Sequence, residues 1–284
     1  MAAQSNCLVS TRWLAENLGS DDIVILDASR HLPAANRDPR IEFEAGHIPG
    51  ARFLDLASWS DTASKVPAAL PNADQVADRL AMLGIGPQST IILYDDSAVR
   101  TAARAWFILT AHGLKDVAIL DGGLAKWREE GRSLESGTAS FDAKPASQFP
   151  PASGVVTKAD ITTNLETAEH QVLDARGADR VFGSGIDPVH GGQNGRIPGS
   201  FNLPFGEVFE QDGTFKSPAA LRGAFQEAGI DIDRPIITTC GSGVTACVLL
   251  FAAHLAGKHD VALYDGSWME WESDPATPKE QGPA

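Results

Sequence analysis

At 284 residues the chain is long enough for about two domains of ordinary size. Its 43% hydrophobic content can fill sizeable cores, and 21% charged residues are too few for a disordered chain. A net charge of −14 argues against a nucleic-acid or anionic-membrane surface, both of which need excess Lys and Arg. No apolar run reaches the roughly 18 residues of a membrane span, and no membrane partner is expected. The first residues lack a charged segment followed by an apolar stretch, so no secretory signal is read. Cys7, Cys240 and Cys247 are odd in number and lack scaffold spacing, which points to reduced thiols and a cytoplasmic protein.

In chain order, Ser10 is placed to cap a helix that turns Leu14 and Leu18 inward. The run Ile23 to Ser29 has the length and β-branching of a buried strand. GHIPGARFLDL follows from Gly46, and then an amphipathic helix with Val76, Leu80 and Leu83 on one face. IILYD from Ile91 reads as a second strand, and AILDGGLAKW closes this half at Trp127. The stretch from about Gly137 to Pro151 is rich in Ser, Ala and Pro and reads as a linker. The series then recurs in the same order: Thr157 as cap, the strand Gln171 to Arg176, GRIPGSFNLPF from Gly195, the strand PIITTC, and ALYDGSWMEW ending at Trp271. Conserved order with little drift in spacing indicates tandem duplication. Residues from about Ser273 are rich in Pro and charge and read as a frayed end. Apolar strands alternating with helices imply an α/β fold, each half a mainly parallel sheet with helices on both faces. Ligands of such sheets bind beyond the carboxyl ends of the strands.

After the strand Pro235 to Thr239, the chain reads Cys240, Gly241, Ser242, Gly243, Val244, Thr245, then an apolar helical segment. Glycines let the backbone turn tightly with successive N–H groups directed inward, and the helix N-terminus adds donors. That setting favours a thiolate nucleophile and could hold a persulfide anion. The alternative is a buried structural Cys in a tight turn. Cysteine phosphatases place an Arg six residues after the nucleophile; here that residue is Ala246, which argues against phosphate-monoester chemistry.

CGSGVTAC, together with LDASRHLP, RDPRIEFEAGHIPGA, LDGGLAKW and YDGSWMEW, resembles the two-domain rhodanese-type sulfurtransferases, over nearly the whole chain. The loop is similar to that of the 3-mercaptopyruvate sulfurtransferases; thiosulfate-using relatives usually carry Arg-Lys where this chain has Gly241-Ser242. The resemblance implies two rhodanese-like domains, a non-catalytic one over 1–137 and a catalytic one over 156–284, joined by a linker over 138–155. It implies that Asp95, which occupies the position of Cys240 in the first half, cannot carry sulfur. It implies no cofactor and no metal. Arg180 matches the family's substrate-binding Arg, a guanidinium suited to a 2-oxo carboxylate, against the alternative of an Asp-paired surface Arg. Arg196 could add charge or fix its loop; Ser242 could handle a proton or simply turn the loop. Gly241, Gly243, Val244 and Thr245 would supply backbone donors to substrate.

The chain departs from the family pattern where a second Arg is usual: Val189 stands there, followed by His190. An Asp and a His suggested to assist the nucleophile align with Ala57 and Ala68. The glycine-rich loop between Val181 and Arg196 has no assigned role. Cys247, His47 and His254 read as structural or surface residues, and the Trp residues as core or interface anchors. The expected reaction moves sulfur from 3-mercaptopyruvate through a Cys240 persulfide to cyanide, a small thiol or thioredoxin. The alternatives are a thiosulfate:cyanide sulfurtransferase and a persulfide carrier without turnover.

Overall fold

The computed structural model describes residues 7–66, 68–86, 88–138 and 141–282; the first six residues of the stretch read for a secretory signal lie outside the described residues. The chain divides into two compact units. One holds residues up to 61, 70–153 and 210–215; the other holds 62–69, 154–209 and 216 onward. No helix among the described residues is long and apolar enough to cross a membrane.

The first unit contains β1 (Leu8–Val9), α1 (Thr11–Glu16), β2 (Ile23–Asp27), α2 (Pro39–Ala45), β3 (Arg52–Phe53), α3 (Ala73–Met82), β4 (Thr90–Tyr94), α4 (Ala102–Ala111), β5 (Val117–Leu120) and α5 (Gly123–Glu129). The second repeats the pattern with β6 (Val155–Val156), α6 (Lys158–Thr167), β7 (Gln171–Asp174), α7 (Ala178–Val181), β8 (Phe201–Asn202), α8 (Pro218–Glu227), β9 (Ile236–Thr239), α9 (Ala246–Leu255), β10 (Val261–Tyr264) and α10 (Ser267–Ser273). Each unit has one five-stranded sheet, ordered β1-β5-β4-β2-β3 and β6-β10-β9-β7-β8, and every pairing is parallel.

Successive strand side chains point to opposite faces, so a strand buried at every position must be covered on both. That is the case for Ile91 to Tyr94 and for Ile236 to Thr239. In the second unit, Ile161 of α6 and Trp268 and Trp271 of α10 pack with Val172, Ile237 and Tyr264 of the sheet, while α9 lies on β9 and β10. The helix starts are encoded locally. Ser10 accepts from the Trp13 amide, and Thr157 forms a reciprocal capping box with Asp160.

The duplication extends to individual hydrogen bonds. Asp27 and Asp174 each accept, on a side-chain oxygen, the amide two residues on, at 2.9 Å in both cases. The Leu124 amide donates to the Asp95 carbonyl (3.1 Å) as the Trp268 amide donates to the Cys240 carbonyl (2.9 Å). The two units differ in what the equivalent side chains do. The Asp95 carboxylate accepts from the amides of Ser97 (2.9 Å) and Ala102 (2.7 Å), closing its own helix entry with a fixed anion.

Two segments differ from the expectation. The described part of the stretch read as a linker is fastened to the first unit: the amides of Lys144 and Ser153 donate to the carbonyls of Ala81 (2.9 Å) and Ala111 (3.0 Å), which end α3 and α4. The chain end, read as frayed, is bound as far as Gly282. Glu280 pairs with Arg196 through both backbone bonds (2.9 and 3.0 Å), and the Trp271 indole donates to the Pro278 carbonyl (2.8 Å). Short-range sequence pattern is blind to both, because the partners are distant in the chain.

Burial raises the Asp95 carboxyl to about 6 against the two amides that oppose it. The folded chain therefore keeps a proton that the unfolded chain loses near pH 4, and stability falls as pH rises from about 4 to about 6. The full effect is about 3 kcal/mol. Subtracting unfolding free energies of Asp95→Asn from those of the wild type across this window isolates that slope; parallel curves would refute it.

Candidate active site at the carboxyl end of β9

β9 ends at Thr239, and Cys240 begins the passage into α9. The loop is held by its carbonyls. Those of Cys240 and Gly241 accept from the amides of Trp268 (2.9 Å) and Met269 (3.0 Å) at the start of α10. Those of Val244 and Thr245 accept from Cys247 (3.2 Å) and Val248 (3.0 Å), and the Cys247 thiol donates to the Gly243 carbonyl (3.2 Å). In a trans peptide the N–H points opposite the preceding carbonyl. The amides of Gly241, Ser242, Val244, Thr245 and Ala246 are therefore each turned away from the partner that its peptide carbonyl meets, and such amides are what an anion-binding concavity is built from. Gly243 has φ +78°, a left-handed conformation that favours glycine.

Cys240 is almost fully buried, at 1% exposure, and its amide donates to the Ser267 hydroxyl (3.2 Å), which in turn donates to the Tyr264 carbonyl (2.9 Å). Ser267 has φ +51°, an uncommon conformation for a residue with a side chain. Ser242, Val244 and Thr245 are half-buried along the same loop.

Gly241 is where the rest of the site meets the loop. A Cβ there would clash with the Nε2–Cδ2 edge of the His190 ring and lie 3.2 Å from Nη2 of Arg180. The bare glycine leaves room for two side chains of the segment after β7, which any larger residue would displace. Arg180, on α7, is fixed by Asp187, whose carboxylate accepts from Nε (3.0 Å) and Nη2 (2.7 Å). Asp187 also accepts from the amides of Val189 (2.8 Å) and His190 (3.3 Å), so one carboxylate positions the Arg and the backbone carrying the His. Burial pushes the Asp187 carboxyl up, but Arg180 and these amides outweigh it and hold it below the usual range. Burial, then the Arg180 charge, push His190 below its usual range, with Arg176 adding and Asp187 opposing.

Asp187 is itself backed by Arg176, a fully buried residue paired to Asp174 at the end of β7 (2.7 Å), with Nη1 3.7 Å from Asp187 and the guanidinium 4.8 Å over the Trp268 ring. Sequence reasoning missed Arg176, Asp187, His190 and Ser267 as a connected set. The available signals were the Asp-Ala-Arg at a strand end and an Asp seven residues after Arg180. The expected alternative partner for Arg180 was a neighbouring Asp; the partner found is Asp187.

Arg196 differs from expectation. Its guanidinium is 2% exposed, bound to the Glu280 carboxylate (2.5 Å) and the Gly282 carbonyl (2.6 Å), and lies 4.8 Å over the Phe182 ring. It fastens the chain end, and its charge is spent there. The residue pattern GRIPGS could not reveal this, since the partner carboxylate is 84 residues away. Cys247 is buried in α9, His47 is stacked on Phe43 (3.9 Å), and the Nδ1 atoms of His254 and His259 face each other at 2.9 Å.

The rhodanese-like domain model matches residues 10–130 and again 157–274. A 3-mercaptopyruvate sulfurtransferase of Mus musculus is 42% identical over 271 residues, covering 93% of this chain and 91% of the relative. A thiosulfate sulfurtransferase of the same organism is 36% identical over 284 residues, covering 97% and 95%. The crystal structure of SseA from Escherichia coli, described with the rhodanese fold and the catalytic mechanism of 3-mercaptopyruvate sulfotransferases, superposes with a TM-score of 0.83 at 35% identity, covering 93% of this chain and 99% of that one. With two domain matches, both sheets and full-length relatives in agreement, the chain belongs to the rhodanese-like family.

Proposed function

We propose that this protein is a 3-mercaptopyruvate sulfurtransferase with Cys240 as its nucleophile. The observation that carries the reading is the meeting at Gly241 of an uncharged loop with one fixed guanidinium, that of Arg180. Asp187 occupies Nε and one side of Nη2, which leaves the Nη1–Nη2 edge of the fork for a carboxylate. A 2-oxo acid bound there has its thiol sulfur several bonds from its charge, which suits a loop without cations. The mouse relative at 42% identity bears the same activity in its name.

In the proposed reaction the Cys240 thiolate attacks the sulfur of 3-mercaptopyruvate. An S–S bond forms, the C–S bond breaks, and its electron pair passes to the pyruvate enolate. The proton originally on the donor sulfur ends on the enolate carbon, so pyruvate leaves and Cys240 holds an anionic persulfide. The amides from Gly241 to Thr245 are assigned as its donors, with Ser242 beside them. Cyanide, a small thiol or reduced thioredoxin then takes the outer sulfur in a ping-pong cycle. Arg196, committed to Glu280, has no part in this reading, and Ala57 and Ala68 offer no titratable group. The cytoplasmic location inferred from the sequence belongs to this proposal as well.

Thiosulfate is the second donor to test, given the 36% identity to the mouse thiosulfate sulfurtransferase. Pyruvate release from 3-mercaptopyruvate and thiocyanate release from thiosulfate plus cyanide give the two kcat/KM values directly. The expected order favours mercaptopyruvate, and the reverse order overturns the substrate assignment. Cys240→Ser is expected to abolish turnover and the 32 Da mass gain, because an alcohol cannot carry sulfane sulfur; residual turnover above about one percent contradicts its role. Arg180→Ala is expected to cost about 1.5–3 kcal/mol, appearing mainly as a raised KM for mercaptopyruvate. An unchanged KM would place the carboxylate elsewhere.

A further inference from the structure

His190 has no place in the reaction proposed above, yet its ring comes closer to the Cβ position of Gly241 than the Arg180 guanidinium does. The absent side chain of Gly241 is replaced, in space, by the His190 ring. The ring is half-buried and sits beside the guanidinium that receives the carboxylate. In a 2-oxo acid the ketone oxygen is on the carbon next to the carboxylate. A carboxylate on Arg180 thus brings that oxygen to the neighbouring group, the imidazole.

Resting on the reading above, we propose that His190 is a catalytic and specificity-determining residue that donates a hydrogen bond from its neutral ring to the 2-oxo oxygen of the donor. When the C–S bond breaks, the electron pair delocalises onto this oxygen, and the hydrogen bond strengthens as the enolate forms. The benefit is greater in the transition state than in the ground state, so it acts on kcat. Thiosulfate has no such oxygen and forms no enolate, so His190 discriminates between the donors.

The groups facing the ring are Arg180 from α7, Asp187 from its own loop, Arg176 behind Asp187, and the backbone of Gly241 next to Cys240. Burial first, and then the two cations against one carboxylate, favour the neutral imidazole, the form that donates without adding charge. On acidification the ring becomes a cation beside the loop. A dianion such as thiosulfate then gains relative to the oxo acid.

The test compares wild type, His190→Ala and His190→Gln on both donors from pH 5 to 8. His190→Ala is expected to lose on the order of 10²-fold in kcat for mercaptopyruvate, the cost of removing one preorganised donor, with little change for thiosulfate at pH 8. His190→Gln keeps a neutral donor and is expected to recover most of that loss. It is also expected to abolish the rise in the thiosulfate-to-mercaptopyruvate ratio of kcat/KM that is expected of the wild type on acidification. Taking the ratio cancels the ionisation of the shared Cys240. If His190→Ala changes both donors equally, or leaves kcat for mercaptopyruvate within about twofold, the proposal is overturned. Should His190→Ala fail to fold, a pH-dependent ratio that persists in His190→Gln overturns it instead. A wild type that releases no pyruvate from mercaptopyruvate defeats the donor assignment itself, which is a different result from normal turnover indifferent to His190.

Discussion

The attachment of the loop carbonyls to α10 and α9 is the constraint on which the rest of the site depends. Because Trp268 and Met269 hold the carbonyls of Cys240 and Gly241, the following amides face the opposite way, toward the place a sulfur anion would occupy. The geometry is not a property of the loop sequence alone. It requires α10 to arrive at the end of β9 with free N-terminal amides, and Trp268 and Trp271 secure α10 by packing into the core of the second unit. Ser267, the first residue of α10 and in an uncommon backbone conformation, accepts directly from the Cys240 amide.

Positive charge is delivered to this site against a net charge of −14, and the way it is delivered is economical in cations. Arg176 and Arg180 alternate with Asp174 and Asp187, so that each carboxylate orients a guanidinium. Arg176 is consumed by this arrangement. Arg180 is the member with 15% of its side chain exposed, and so the one able to offer an edge to ligand. The absence of a side chain at Gly241 leaves the space in which the His190 ring and the end of Arg180 approach the loop.

The two units show how one scaffold supports different ends. At the position of Cys240 the first unit carries Asp95, whose carboxylate fills the amides of its own loop and so provides in the fold what a bound anion would provide in the second. The matching bond from Leu124 or Trp268 to the carbonyl of that residue shows that the backbone frame is common to both. On that shared frame the first unit places a carboxylate and the second a thiol.

The sequence by itself determined the duplication, the parallel α/β architecture and the strand end at Cys240. Each is written in local pattern: repeated motifs in constant order, apolar runs of strand length, and a glycine-containing turn before an apolar helix. It also showed Arg180 on the correct edge of the sheet. Only the tertiary structure decided which charges are available. The sequence offered Arg180 as the substrate Arg and Arg196 as an added charge or a loop-fixing residue; in the fold Glu280 neutralises Arg196 and Asp187 orients Arg180. Likewise His190, which in the sequence merely follows Val189 at the place of a usual Arg, is brought by the fold against Gly241. Pairings across tens of residues depend on how the chain folds back, and hydrophobic periodicity carries no record of them.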